Sequence, residues 1–172
     1  MPIETVCQIF YRSVDGYQKA EHLKYKTAEG WRGISSDELR TAVEETSMDL
    51  RALGVQKGDR VAILSENRVE WVLSDLGSLF AGAIVVPIYP TLLTDTIEYI
   101  LEDCRPVVIL VSNEEQATKI HQIRGKLPFL RDVISFERTS LPEILAFDKL
   151  TQIGQNLLED NPPAPRDECV AV

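Results

Sequence analysis

The run Gly58-Asp-Arg-Val-Ala-Ile-Leu-Ser-Glu-Asn-Arg-Val-Glu-Trp-Val-Leu-Ser-Asp-Leu-Gly-Ser-Leu-Phe-Ala-Gly-Ala-Ile-Val-Val-Pro-Ile-Tyr-Pro90 decides the fold. A Lys57-Gly58-Asp59 turn releases Arg60 to Leu64, an apolar run too short for a helix and rich in strand-forming residues. Asn67, with Glu70 three residues on, has the spacing of a capping box, and Trp71, Val72, Leu76, Leu79 and Phe80 recur at helical intervals. Gly82 supplies a stop, and Ala83 to Ile88 is a second apolar run, closed by Pro87 and Pro90. Strand, helix, strand with a crossover of this length makes the two strands parallel neighbours.

The pattern continues on both sides. Upstream, Thr5 and Gln8 predict a capped first helix with Val6, Phe10 and Val14 along one side, and Leu23–Thr27 and Trp31–Ile34 predict a hairpin turning at Glu29-Gly30. Ser35 and Glu38 open a helix carrying Leu39, Val43, Leu50 and Leu53 and ending at Gly54. Downstream, Thr94 is the expected cap of a helix with Ile97, Ile100, Leu101 and Cys104 in one stripe, ended by Pro106. A strand over Val107–Val111 follows, then a helix with Ser112 and Glu115 as its expected box and Ala117, Ile120 and Ile123 inward. Val133–Phe136 is the fourth strand. Four buried strands alternating with helices predict an α/β fold: a mainly parallel, doubly wound sheet with helices on both faces, plus a small N-terminal hairpin and helix. Arg138 to Phe147 reads as a connector, Asp148 to Leu158 as a last helix, Asn161 to Pro165 as an extended linker, and Cys169 to Val172 as the start of another strand.

At 172 residues the chain is long enough for one ordinary domain. A formal net charge of −9, with no dense run among its 18 Lys and Arg residues, argues against a nucleic-acid partner. No apolar run reaches the ~20 residues of a membrane span, and the first residues lack the pattern of a secretory signal, so the expected location is cytoplasmic. Cys7, Cys104 and Cys169 lack the pairing of a zinc site and the even count of a disulfide framework, and are expected as reduced thiols.

No catalytic constellation stands out. There is no GxxxxGK[ST], GxGxxG or GxSxG, and His22 and His121 are not spaced for a metal. Glu114 and Glu115 suit the first turn of a helix, not a metal site, and Trp71 suits a core position. Open α/β sheets bind ligands beyond the carboxyl ends of their strands. Asn67 and Arg68 fall there after one strand, Tyr89 and Thr91 after the next. These four are the substrate-adjacent candidates. Catalytic, cofactor-binding and metal residues are expected to be absent.

The wording from Gly58 through Pro90 and on to Thr-Leu-Leu-Thr-Asp-Thr-Ile-Glu-Tyr-Ile-Leu-Glu-Asp103 closely resembles the N-terminal subdomain of adenylate-forming enzymes, in particular the long-chain acyl-CoA synthetase (fatty acid–CoA ligase) branch. The resemblance runs from Gly30–Leu39 (GWRGISSDEL) to Asp132–Phe136 (DVISF). It implies a parent enzyme that uses ATP and Mg²⁺ to activate a fatty acid and transfers the acyl group to coenzyme A. Asp167 to Val172 resembles the approach to that family's phosphate-gripping loop, so residues 1–160 are expected to be an N-terminal subdomain and 161–172 a linker and strand leading toward the loop. The resemblance carries over no catalytic residue, and the chain alone is expected to be inactive and to bind none of the three cofactors. The alternative on residues alone is a binding or dimerisation module, a homodimer among its forms.

Overall fold

A computed structural model describes residues 5–150. Helix α1 (Val6–Tyr17) leads to an antiparallel hairpin of β1 (Leu23–Thr27) and β2 (Gly30–Ile34), and α2 (Ser36–Ala52) follows. Then come β3 (Arg60–Leu64), α3 (Val69–Phe80), β4 (Ile84–Ile88), α4 (Thr94–Cys104), β5 (Val108–Val111), α5 (Glu114–Ile123), β6 (Asp132–Ser135) and β7 (Leu145–Ala146). The second sheet has the order β4-β3-β5-β6-β7, parallel at every pairing.

Alternation along the strands sorts the core into two layers. Ala62, Leu64, Ile109, Val111 and Val133 face α4 and α5 through Ile97, Leu101, Ala117 and Ile120. Val61, Ile63, Val108, Leu110 and Ile134 face the other way, onto Leu50 of α2, with Trp71 and Leu73 of α3 packed against that layer. A third cluster, with Phe10, Tyr11 and Val14 of α1, Leu39 and Val43 of α2 and Phe80 of α3, seats the N-terminal helix. Gly82 ends α3 at φ +82°, a backbone state without cost only for glycine.

The expected fold stands, with local corrections. The connector after β6 contains a fifth strand, β7, whose two residues are too few to leave a periodic signal. The box at Ser35 and Glu38 forms in full, as does that at Thr5 and Gln8. The other three caps do not fall where the spacing put them. Arg68, not Asn67, is the N-cap of α3 and gives no side-chain cap bond; Leu93 precedes α4 in the same way. For α5 the Ser112 N–H still bonds to Leu64 O in the sheet, so the cap moves one residue on, and Asn113 accepts from Gln116 N. Cys104 is a half-buried free thiol, whereas Cys7 is disulfide-bonded and not the reduced thiol expected of it. Phe147–Leu150 opens the last expected helix, and the rest of that helix, the proline linker and the final strand lie outside the described residues.

Among the described residues strand β4 is an edge, paired only with β3. Ile84 N–H donates to Asp59 O. In a parallel ladder the N–H and C=O of one residue point to the same side, and successive residues alternate. Ile84, Val86 and Ile88 therefore address β3, while Val85 and Pro87 address the open flank.

Candidate functional site

The order of the sheet fixes where a ligand would be sought. From β3 the chain crosses to β4 on one side, and from β5 it crosses to β6 on the other. The crevice between the carboxyl ends of β3 and β5 is thus the topological switch point. Residues 65–68 leave β3 there, and Ser112 and Asn113 leave β5.

A cleft of about 810 Å³ opens at this edge between the hairpin and the sheet. Leu23 to Thr27 and Trp31 form one wall, Glu66 to Glu70 and Val72 the other, with Glu137 beyond β6 at its rim. Trp31 is 70 % exposed and sits across from Lys26 in the hairpin register.

Arg68 is the most heavily bonded side chain of the cleft. Its Nε and Nη2 donate to the Glu70 carboxylate at 2.8 and 3.2 Å, and its Nη1 donates to Glu137 Oε1 at 2.9 Å and to Ser112 O at 3.4 Å. Glu66 lies 3.8 Å away, and the guanidinium stands 5.6 Å from the centre of the Phe136 ring. The bond to Glu70, then that to Glu137, hold the arginine firmly protonated against the cost of its burial. Burial pushes the Glu70 carboxyl up, but the Arg68 bond and a backbone N–H outweigh it and leave the group below its ordinary range. Asn67 lines the same cleft, is exposed, and its side chain has no hydrogen bond among the described residues.

Tyr89 and Thr91 leave β4 at the same edge, one strand further out. Register places Leu64 beside Ile88, so the two loops are neighbours, yet neither Tyr89 nor Thr91 lines the cleft. The turn is held from beneath: Lys119 of α5 donates to Pro90 O at 2.9 Å and Leu92 O at 3.4 Å, with Glu115 at 3.2 Å as its counter-ion. With its carbonyls turned inward, the loop presents Tyr89 and Leu93 outward, 79 % and 77 % exposed. The four expected residues thus share one edge but form two groups. Sequence reading missed Glu137 and Lys119, which place Arg68 and the Tyr89 turn; neither has a local signal, because their partners lie 69 and 29 residues away.

The remaining sequence candidates are structural. Trp71 packs against the core, Glu114 and Glu115 occupy the first turn of α5, and Glu114 also accepts from Ser140 N and Oγ. His22 bridges Ser13 and Ser36, and His121 is bonded to Glu143. Among the described residues no three His, Cys, Asp or Glu side chains are grouped to hold a metal, and no helix is long and apolar enough to cross a membrane.

The same architecture recurs in proteins of known structure. An anthranilate CoA ligase, AuaEII, solved with anthranoyl-AMP, superposes with a TM-score of 0.75 at 27 % identity, over 89 % of this chain and 28 % of that one. The acetoacetyl-CoA synthetase of Streptomyces lividans shares the fold with a TM-score of 0.76 at 22 % identity, over 84 % of this chain and 24 % of its own. The AMP-binding enzyme family matches residues 10–172, and this chain belongs to that family. Within it, the chain is 32 % identical over 159 residues to the long-chain-fatty-acid–CoA ligase ACSBG1 of Rattus norvegicus, covering 91 % of this chain. To the ligase FadD15 of Mycobacterium bovis it is 33 % identical over 127 residues, 74 % of this chain. The chain spans 22 % and 21 % of those two relatives' lengths.

Proposed function

We propose that this chain is the N-terminal portion of a long-chain fatty acid–CoA ligase, which converts ATP, a fatty acid and CoA to acyl-CoA, AMP and diphosphate. The observation that carries the reading is the similarity to long-chain ligases across 91 % of the chain, on a sheet whose switch-point crevice is open to a ligand. In this reading residues 1–160 are the subdomain that supports one side of the active-site cleft, and 161–172 lead toward the phosphate-binding loop. Asn67, Arg68, Tyr89 and Thr91 are substrate-adjacent. The cytoplasm is the proposed location.

ATP and Mg²⁺ belong to the whole reaction, but the described residues do not fit them: they have neither a carboxylate cluster for the ion nor a glycine-rich loop for the phosphates. No step is assigned to this chain through either group, and by itself it forms no acyl-adenylate. A homodimer in this reading does not use the β4 edge, where Pro87 removes a donor.

The test is the coding sequence after Val172. A loop rich in Thr, Ser and Gly closing on Pro-Lys-Gly supports the ligase reading; a stop codon or an unrelated sequence overturns it. Diphosphate release by the 172-residue chain with ATP, Mg²⁺ and fatty acids is expected to equal the buffer blank, and turnover would refute the inactivity.

A further inference from the structure

Arg68 stands where a ligand-binding cation would be expected, yet all three of its nitrogens are engaged. A guanidinium has five N–H bonds in a rigid fork. Here the fork spends two on Glu70 and shares Nη1 between Glu137 and the Ser112 carbonyl, with Glu66 as a third carboxylate nearby. Its charge is more than matched. The groups it joins come from three places on the sheet: the β3–α3 loop and first turn of α3, the end of β5, and the segment leaving β6.

We infer that Arg68 is a positioning residue that latches the segment after β6 to the switch-point crevice and so sets the width of the cleft, leaving its neighbour Asn67 free to meet a ligand. Glu137 lines both the cleft and a second cavity of about 380 Å³ bounded by Ser135, Leu141, Ile144 and Ala146, so one ion pair places the wall between two spaces. The far part of the same segment has its own fastenings. Ser140 is bonded to Glu114, and Glu143 to His121. Within 136–139 the Phe136 N–H is tied to Val111 O and Arg138 to Asp148, and the tie that reaches the cleft is that of Arg68 to Glu137, so Arg68 acts on 136–139 and not on 140–144. A side chain acting only as packing would not divide the segment in this way.

The latch is independent of the ligase reading; only its consequence for Asn67 rests on that reading. Hydrogen exchange of the 172-residue chain, measured without any ligand, therefore separates the two. In Arg68→Ala, exchange over 136–139 is expected to rise about fivefold or more, with 140–144 unchanged. Guanidinium ion at about 10 mM should return it toward wild type, because it can refill the fork site, while the same concentration of sodium chloride should not. Arg68→Lys, which keeps the charge and loses the fork, should fall between. Glu137→Gln should reproduce the effect at 136–139, and it alone decides the matter should Arg68→Ala fail to fold. Unchanged exchange at 136–139 in the folded variants, a rise extending equally through 140–144, or equal rescue by both salts overturns the latch.

Discussion

Gly77 of α3 approaches Thr46 of α2 so closely that a Cβ on the glycine would lie 2.6 Å from Thr46 Cγ2 and 3.3 Å from the Ser47 amide nitrogen. The two helices meet through small residues, Ser74, Gly77 and Ser78 on one side and Thr46 and Ser47 on the other, all buried. Gly77→Ala should cost about 1–3 kcal/mol despite the gain in helix propensity, because one contact atom is backbone. Thr46→Ala, which removes the Cγ2, should recover part of that loss in the double variant. Urea midpoints at constant slope measure both, and a neutral Gly77→Ala would refute the tight approach.

At the same contact the hydroxyls of Ser74 and Ser78 are buried with no hydrogen-bond partner. Removing an unsatisfied polar group relieves its desolvation cost, so Ser78→Ala should be neutral or stabilising by up to about 1 kcal/mol. A clear drop in the denaturation midpoint would count against it.

The capping pattern gives a contrast within one molecule. Ser35→Ala breaks a complete box and should destabilise by about 1 kcal/mol. Asn67→Ala and Thr94→Ala, which spacing alone would rank as equal losses, should stay within about 0.5 kcal/mol, since neither side chain caps its helix. Equilibrium unfolding of the three variants would show whether the order holds.

Asp75 has its carboxyl pushed up by burial, with no partner charge to offset it. A carboxyl raised in the folded state binds protons more tightly there than in the unfolded chain, so stability falls as pH rises through that window. Asp75→Asn should therefore be more stable than the parent at neutral pH, and the gap should close as pH drops below the ordinary aspartate range near 4. Glu70, held below its ordinary range, has the opposite sign: the stability from its bond to Arg68 is present above the unfolded carboxyl range and is lost as pH falls. Thermal midpoints across pH 3 to 8 for Asp75→Asn and Glu70→Gln should move in opposite directions relative to the parent; a parallel shift would refute the assignment.

Lys119 can be tested through mobility. Lys119→Met keeps the aliphatic stem and removes the donors to Pro90 and Leu92, so backbone order from Tyr89 to Leu93 should fall while that of β4 is unchanged. Backbone ¹⁵N relaxation reads this directly, and an unaltered loop would mean that the proline pair alone holds the turn.

How much of this was legible follows from the range of each interaction. Strands β3 and β5 stand out because both faces are buried, so Val61 to Leu64 and Val108 to Val111 are continuous apolar runs. β7 was hidden because Leu145 and Ala146 join the sheet by register with β6, not by any pattern of their own. Ser112 lost its cap to a ladder bond that depends on a strand 48 residues earlier. At the site, the carboxyl-end rule found the right edge and four residues on it, but it could not say that Arg68 is engaged or that Asn67 is free. Those facts depend on Glu137, brought in by the pairing of β5 with β6.

The open flank of β4 has a bearing on how such a chain survives in a crowded solution. An exposed, regular edge strand is a template onto which another chain can add and from which a fibre can grow. Along this flank Val85 offers an N–H, and at the next outward position Pro87 has none, so an incoming strand finds its hydrogen-bond ladder broken after one rung. Placed in an otherwise apolar strand, a single proline acts as a gatekeeper against aggregation.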